Sequence, residues 1–570
     1  MNIETRILSS MEKVFPTKAP APMTQPMTCL LGENYAFQIA VRPDAPFTRG
    51  AGIKVSVNSA LSVSFKQVGY VPAQMLYVIN NDGHFLTDEP GIFPDPLFPA
   101  KKNDVAGDAF TVAEASGDEV GTFRMVSNQW NSFMVEVRPE NVPAGIYPID
   151  VLFEAKNIRE PEKSYSYKVH TEIEVIGAKL PEKTFKYTNW FHGDCLADYY
   201  HVPVFSEEHW KAMRAQIEMV AYYGQTMILM PVFTPPLDTA IGWERTTIQL
   251  VDVIKENGQY SFNFDKLTRF IAMAKECGIK YFEISHLFTQ WGGKCCPKVM
   301  ATVDGEYKKL FGWEQEALSD EYKDFLSVFL PELVNYLNTN GLHDCTYFHL
   351  TDEPHGDHLP QYMALKEFVA PMIDPYPIMD AMSDYSYFEQ GVCKVPVVAT
   401  SALEPFLTGK RPDDFWVYYC IGQGHSNLSN RFMAMPGYRT RILGVQLYLE
   451  NVAGFLQWGM NFYNSVQSLH HINPYAVTDG EVSFPAGDSF IIYPGEDETA
   501  VASQRLIIFG EALQDLQALK LLESLTSREH VIALIQEDVV EPITFHVYPT
   551  GESYLLNLRD KVNKEIKQLS

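Results

Sequence analysis

The spacing of apolar residues changes near residue 185, and this change constrains the fold more than any other feature of the chain. Up to about residue 182, polar and apolar residues alternate between turn signals, as in Tyr35–Val41 and Ser132–Val137. Alternation with a period of two indicates strands that bury one face. Beyond residue 185, short apolar segments alternate with amphipathic helical patterns. We therefore expect an N-terminal antiparallel β-sandwich, residues 1–182, and a second domain, residues 183–570.

The second domain contains a repeated strand, loop and helix pattern. One helix is expected after Ser206, which can cap it, and its apolar face is Trp210, Met213, Ile217 and Val220. Eight βα units in sequence predict a (β/α)8 barrel of the TIM type, with a doubly wound open sheet as the alternative. The expected barrel strands are 185–191, 226–231, 279–286, 345–351, 376–382, 395–399, 415–420 and 453–459.

Two further segments have clear local signals. The proline-rich stretch Asp88–Pro99 is expected to be a surface loop, since proline cannot enter a central strand. A closing helix over residues 503–525, followed by a mixed tail with a basic final helix, predicts a C-terminal helical extension of the barrel.

Composition excludes several classes of function. Lys and Arg number 45 against 71 Asp and Glu, a formal net charge of −26, so nucleic acid and anionic membranes are unfavourable partners. The chain starts without a basic segment leading into an apolar one and contains no apolar run long enough to span a bilayer. We therefore expect a cytoplasmic protein without membrane insertion. Neither a GxGxxG turn after a strand nor a phosphate-binding loop is present, so no cofactor is expected.

The most informative residues follow the fourth predicted strand, 345–351, where Asp352 and Glu353 precede Pro354. Active sites of such barrels lie at the carboxyl ends of the strands. Strand alternation directs His349 and Glu353 into the lumen, whereas Asp352 points outward unless the strand bends at its end. If the strand bends, both carboxylates can line the pocket and take part in an active site. The alternative is an acidic turn that is exposed to solvent.

Two adjacent carboxyl groups in a partly dry pocket titrate at different pH values, a division of roles that suits glycosidic bond cleavage. An ordinary retaining enzyme needs a carboxylate nucleophile roughly 5 Å away across the pocket. The ends of strands seven and eight carry none, and Glu404 after strand six is a poorly placed candidate. A substrate with a 2-acetamido group could instead supply its own nucleophile and form an oxazoline, with one carboxylate orienting the amide and the next acting as acid and base.

Aromatic and polar residues near the other strand ends are the types that bind sugars, through stacking and hydroxyl hydrogen bonds. His192, Asp194, His286 and His349 are residue types that could form a metal site, but neither an HExxH helix nor a paired HxH accompanies them, so no metal is expected. The candidate substrate-binding residues are His192, Asp194, His286, Trp291, Tyr385, Tyr387, Tyr419 and Trp458.

Five stretches together resemble glycoside hydrolase family 123: residues 189–200, 285–293, 348–354, 454–459 and 485–495. The resemblance implies a β-sandwich followed by a (β/α)8 barrel. It also implies a retaining exo-β-N-acetylgalactosaminidase that releases terminal β-GalNAc, including from glycosphingolipid glycans, by substrate assistance. Two alternatives stay open: a glycosidase with another sugar specificity, and a non-catalytic carbohydrate-binding protein.

The resemblance also implies roles for individual residues. Asp352 would orient the acetamido group, and Glu353 would be the general acid and base. A tyrosine near strand five, Tyr385 or failing that Tyr387, would hold the acetamido carbonyl, and Trp458 would form part of the pocket floor. The implied partner is a glycan with a terminal N-acetylhexosamine.

Overall fold

The computed structural model describes residues 2–44, 53–99, 119–123, 125–157 and 160–570. The strands are β1 (Ile3–Ser9), β2 (Thr28–Leu31), β3 (Tyr35–Pro43), β4 (Ile53–Asn58), β5 (Ser62–Ala73), β6 (Gly91–Pro99), β7 (Glu119–Phe123), β8 (Asn131–Arg138), β9 (Gly145–Asn157), β10 (Glu160–Lys179), β11 (Lys186–Asn189), β12 (Met227–Met230), β13 (Asp252–Glu256), β14 (Gln259–Asn263), β15 (Tyr281–Ile284), β16 (Val299–Val303), β17 (Glu306–Phe311), β18 (Thr346–Phe348), β19 (Met379–Ala381), β20 (Val395–Ala399), β21 (Trp416–Tyr418), β22 (Gly454–Gln457), β23 (Ile492–Pro494) and β24 (Ala500–Ala502). The helices are α1 (Gly193–Tyr200), α2 (Glu207–Tyr222), α3 (Asp265–Glu276), α4 (Asp320–Thr339), α5 (Leu359–Ile373), α6 (Tyr385–Glu389), α7 (Glu404–Thr408), α8 (Gly437–Arg441), α9 (Leu443–Leu449), α10 (Gln504–Leu525), α11 (Arg528–Gln536) and α12 (Ser553–Leu569). None of the helices in these ranges is both long and apolar enough to cross a membrane.

The chain forms two compact units. The first unit comprises Met1–Lys183, His425–Asn451 and Val501–Ser570, and the second comprises Thr184–Gly424 and Val452–Ala500. The N-terminal boundary therefore lies close to the expected one. The expected division into 1–182 and 183–570 differs from these units, because two later segments group with the N-terminal strands.

The first unit contains two five-stranded sheets, in the orders β1-β3-β8-β5-β6 and β2-β10-β9-β4-β7. Neighbouring strands are antiparallel except β2 and β10, which pair in parallel. Alternate residues of both sheets, among them Phe37, Phe133 and Phe153, share one buried apolar core. The predicted β-sandwich is confirmed for this region.

The expectation for Asp88–Pro99 is wrong, because this segment includes β6. The strand lies at the edge of its sheet, beside β5, where a missing N–H does not interrupt a ladder on both sides. Phe93 and Leu97 point into the protein, and Asp95 is completely buried. Asp95 accepts two hydrogen bonds from Arg505 of α10, each 2.9 Å long.

Buried ion pairs explain why the C-terminal helices belong to the first unit. Arg559 of α12 contacts Glu33 at 2.6 Å and Asp515 of α10 at 2.9 Å, and all three side chains are at most 7% exposed. Arg441 of α8 also contacts Asp515, at 2.8 Å. Breaking a buried pair leaves an uncompensated charge, which costs roughly 3–5 kcal/mol. These pairs therefore hold the helices and the strands of this unit together.

The second unit is built on an eight-stranded parallel sheet in the order β18-β15-β12-β11-β22-β21-β20-β19. All eight predicted strand positions contain one of these strands, and the strands follow one another around the sheet in chain order. A parallel bridge between Phe348 and Ile378 brings the two end strands together, so the sheet is a nearly closed barrel. The alternative of a doubly wound open sheet is wrong, since its strand order would not be cyclic. A separate four-stranded sheet, β14-β13-β16-β17, is inserted among the barrel units.

The predicted cap of α2 is present. The Ser206 hydroxyl accepts a hydrogen bond from the His209 amide, and Trp210, Met213, Ile217 and Val220 are buried as expected. The side chain satisfies one of the amides that lack a partner in the first turn of a helix.

We expect Ser206→Ala to lower the free energy of unfolding of the second unit by about 1 kcal/mol, because this amide loses its acceptor. The matched control is Ser319→Ala, since Ser319 occupies the same position before α4 without accepting such a bond. Urea denaturation measures both variants. Equal losses in the two would contradict the capping role of Ser206.

Candidate active site

The backbone bends directly after the fourth barrel strand. Glu353 has a φ of +43°, in the left-handed region that residues other than glycine rarely adopt. The Trp291 amide donates a 2.9 Å hydrogen bond to the Asp352 carbonyl and holds the bend from the neighbouring loop. Asp352 and Glu353 are both half-buried. The bend that the alternation pattern required is therefore present.

The two carboxyl groups interact electrostatically. Burial raises the pKa of Asp352 well above its usual range, and the adjacent Glu353 raises it further. The charge of His349 and the Glu353 amide act in the opposite direction. Asp352 therefore keeps its proton to a higher pH than an isolated aspartic acid, beside a second carboxyl group.

Glu353 has a partner that sequence reasoning missed. The Tyr418 hydroxyl donates to Oε1 of Glu353 over 2.6 Å from the end of β21. The candidate Tyr419 is fully buried instead, with its ring 4.8 Å from that of Phe455. Alternation along β21 was the available signal, because Trp416 and Tyr418 share the face that enters the barrel core. In this conformation Tyr418, and not Tyr419, reaches the acidic pair, and the expected contact of Tyr419 with a substrate stays a prediction.

A fully buried layer of side chains lies on neighbouring barrel strands. His349 Nε2 donates to Glu283 over 2.9 Å, and His349 Nδ1 lies 3.5 Å from Asp380. The Trp190 indole also donates to Glu283, over 3.0 Å. Burial lowers the pKa of His349, but Asp380 and Glu283 outweigh this effect and raise it to about 9. His349 is therefore a cation at neutral pH.

His286 stacks on His349, with ring centroids 4.6 Å apart and planes inclined by 20°. Its side chain is inaccessible to solvent in this conformation, and the expected contact between His286 and a substrate stays a prediction. His286, His349 and Asp380 bring possible ligand atoms within 4.8 Å of one another. Nearly parallel rings, however, direct their in-plane lone pairs side by side rather than toward one ion. The group fits a buried ion pair better than a metal centre.

His192 and Asp194 form a second buried network. Arg245 binds Asp194 through two hydrogen bonds of 2.8 Å and contacts His192 Nδ1 at 3.0 Å. His192 Nε2 donates to the carbonyl of Trp458 over 2.9 Å, and burial lowers the pKa of His192 to about 3. Both candidates are 1% exposed. Their network braces the segment that follows β11, and the expected contacts of both residues with a sugar stay predictions.

Trp458 is held by Asp488, whose Oδ2 accepts the indole N–H over 2.8 Å. The other oxygen of Asp488 accepts a bond from Gln457 over 3.2 Å. Burial and three carboxylates raise the pKa of the nearby Cys420 thiol well above its usual value. These carboxylates are Glu353, Asp488 and Asp352. Trp458 and Cys420, both half-buried, therefore belong to the same region as the acidic pair.

The remaining aromatic candidates differ in accessibility. Trp291 is 40% exposed, beside the bend that carries the pair. The half-buried Tyr385 accepts the Lys410 amide over 2.8 Å. Tyr387 is fully buried and donates to the carbonyl of His355 over 3.1 Å, and its expected substrate contact stays a prediction. Tyr387 instead supports the loop that follows Glu353.

Glu404, the alternative nucleophile, is exposed at the start of α7. Arg245, by contrast, gave no signal in the sequence because it lies in an irregular loop between β12 and β13. The site thus combines a bent acidic pair, a tyrosine on one carboxylate and two accessible tryptophans, over a buried charged layer.

We expect Asp194→Asn to lower the free energy of unfolding of the second unit by about 3–5 kcal/mol, because the buried Arg245 loses its counter-charge. Glu276→Gln is the matched control, since it removes a charge from the exposed pair with Arg214 and should change stability by less than about 1 kcal/mol. Chemical denaturation measures both. Unchanged stability in Asp194→Asn would show that Asp194 has no bracing role.

Comparisons with known proteins agree with this architecture. The family described as glycoside hydrolase 123, catalytic domain, matches residues 190–522. A family 123 glycoside hydrolase from Clostridium perfringens has a TM-score of 0.70 at 16% identity, with 100% of this chain and 98% of that chain covered. An FMN-binding β-glucuronidase from Facaelibacterium prausnitzii L2-6 is 11% identical over 83% of this chain and 75% of that chain, and its TM-score of 0.24 supports no argument about fold. No curated protein matches the sequence. On the family match, which spans more than half of its length, the chain belongs to glycoside hydrolase family 123.

Proposed function

We propose that this protein is a retaining exo-β-N-acetylgalactosaminidase that releases terminal β-GalNAc by substrate-assisted catalysis. The observation that carries the proposal is the bend at Glu353, which leaves two consecutive carboxyl groups half-buried and electrostatically coupled. Membership of a glycoside hydrolase family supports bond cleavage. The relative from Clostridium perfringens is described for glycolipid glycan hydrolysis, which supports a glycan substrate.

In the first step, ionised Asp352 accepts a hydrogen bond from the acetamido N–H and orients the group. The acetamido oxygen attacks C1 as the glycosidic bond breaks, and Glu353 donates its proton to the leaving oxygen. The product of this step is a sugar oxazolinium ion, whose positive charge the Asp352 carboxylate stabilises. In the second step, Glu353 takes a proton from water, the resulting hydroxide forms the new bond at C1, and the oxazolinium ring opens to the neutral acetamido group. Two displacements at C1 retain its configuration.

Tyr418 donates a hydrogen bond to one oxygen of Glu353, and the other oxygen would protonate the leaving group. Asp488 could compete as a nucleophile, but it is completely buried and binds the side chains of Gln457 and Trp458. We propose that Tyr418 helps to position the reacting groups in place of Tyr385. Trp291 and Trp458 would stack on the apolar faces of the sugar.

The first test compares aryl glycosides of β-GalNAc, β-GlcNAc, β-Gal and β-Glc. We expect rapid release from β-GalNAc, little from sugars without the 2-acetamido group, and inhibition by a thiazoline analogue of the oxazoline. Rapid cleavage of β-Gal or β-Glc would overturn substrate assistance, whereas a preference for β-GlcNAc would change only the sugar. Binding of these sugars without hydrolysis would indicate a carbohydrate-binding protein.

The second test separates the two carboxyl groups. Glu353→Gln should lower kcat by roughly 10²–10⁴-fold, because a positioned acid contributes a factor of this size. Asp352→Asn should also impair the enzyme severely, and it should weaken thiazoline inhibition because the analogue loses its anionic partner. Glu404→Gln is the matched control on an exposed glutamate and should retain the parent rate. Near-parent rates in either variant of the pair, or a severe loss in Glu404→Gln, would contradict the mechanism.

A further inference from the structure

We propose that Glu283, His349 and Asp380 form a charged layer that positions the acidic pair and places a positive charge beneath it. This inference rests on the proposed function and adds three positioning residues to it. None of the three side chains is accessible to solvent, so none can contact a substrate directly. Their effect must pass through the strand end that carries Asp352 and Glu353.

Asp380 connects the layer to the backbone of the strand end. Its Oδ1 accepts the Leu350 amide over 2.9 Å, only two residues before Asp352. Its Oδ2 accepts the Tyr362 hydroxyl over 2.8 Å, which links the same carboxylate to α5. The β18 end is therefore tied to the neighbouring strand and to a helix at the point where the backbone starts to bend.

His349 contributes the positive charge of the layer. It lies between Glu283 at 2.9 Å and Asp380 at 3.5 Å, and its ring also meets the edge of Trp190 at 5.6 Å. Stacked His286 is kept neutral, because burial lowers its pKa well below the usual value and the charge of His349 lowers it further. Charges interact strongly in such a dry environment, because little water is present to screen them.

The balance of charge connects this cation to the acidic pair. Glu283 and Asp380 belong to the layer, and Asp352 follows the strand end that the layer holds. Burial, Glu353 and Asp380 favour the protonated form of Asp352, whereas His349 favours the anion. The anion accepts the acetamido N–H more strongly and stabilises the positive charge that develops on it. His349 therefore moves the ionisation of Asp352 to lower pH.

The test measures the pH dependence of kcat/KM for His349→Gln. Removing the cation makes the potential at Asp352 more negative, so the pKa of Asp352 rises and the acid limb moves to higher pH, by about one unit. At a pH on the acid limb of the parent, kcat/KM should fall about tenfold, since roughly a tenth of the molecules keep the active protonation state. The alkaline limb should move in the same direction.

The double variant Glu283→Gln/His349→Gln removes one charge of each sign and should return the acid limb toward the parent position. Asp414→Asn is the matched control, because its pair with Lys186 lies at the opposite ends of the barrel strands. It should leave both limbs in place. The proposal is overturned if His349→Gln loses activity while the acid limb of kcat/KM stays in place. It is also overturned if the double variant shows the same shift of the acid limb as His349→Gln. Either result would leave the layer with a structural role alone.

A second measurement does not depend on turnover. Nitrogen-15 spectra of histidine-labelled parent protein should show His349 doubly protonated at pH 7, with the double variant assigning the signal. A neutral His349 at pH 7 would overturn the electrostatic role even if His349→Gln fails to fold. If the parent cleaves no aryl N-acetylhexosaminide, the proposed function fails, and this spectrum still decides the charge of the layer.

Discussion

Repulsion between two consecutive carboxylates is the constraint around which this active site is organised. Asp352 and Glu353 leave the same strand end, and the left-handed backbone at Glu353 keeps both side chains half-buried instead of letting them point to opposite sides. Such a conformation costs of order 1–3 kcal/mol and persists only where the surroundings hold it. Hydrogen bonds from Trp291 and Tyr418 provide part of that support.

The barrel explains how so many groups converge on one pair. Parallel strands in cyclic order bring residues that are distant in sequence to one end of the sheet. Glu283, His349 and Asp380 come from adjacent strands, and their mutual contacts form a complete charged layer within the barrel. A second network, centred on Arg245, holds His192 and the first turn of α1 at Asp194. The accessible part of the site is accordingly small and consists mainly of the acidic pair and tryptophan rings.

Much of the fold could be predicted, because strand and helix periodicities reflect local burial. All eight barrel strands and the Ser206 cap lie where the pattern placed them. The errors arose where tertiary contacts override local preference. Asp88–Pro99 forms a strand because an edge position tolerates proline and Arg505 neutralises the buried Asp95. No local pattern encodes a partner more than four hundred residues away.

The acidic pair was predictable for a different reason: its position after a strand and before proline limits its geometry. The contacts around the pair were harder to predict. Residue type alone does not distinguish a side chain that binds a sugar from a buried one that stabilises the fold. His192, Asp194, His286 and Tyr387 are all residue types that bind glycans, yet each is enclosed by protein. The tyrosine that reaches Glu353 is Tyr418 and not the predicted Tyr419. The register of the strand favours Tyr418.

The interleaved connectivity of the two units has a consequence for biosynthesis. Arg505 and Arg559, which neutralise Asp95 and Glu33, are translated more than four hundred residues after them. Until the arginines emerge, Asp95 and Glu33 lack the counter-ions that their burial requires. The first strands can therefore pair early, but the unit that contains them completes its packing only after the segments with these arginines have been translated. A fragment that ends near residue 183 would keep this defect permanently.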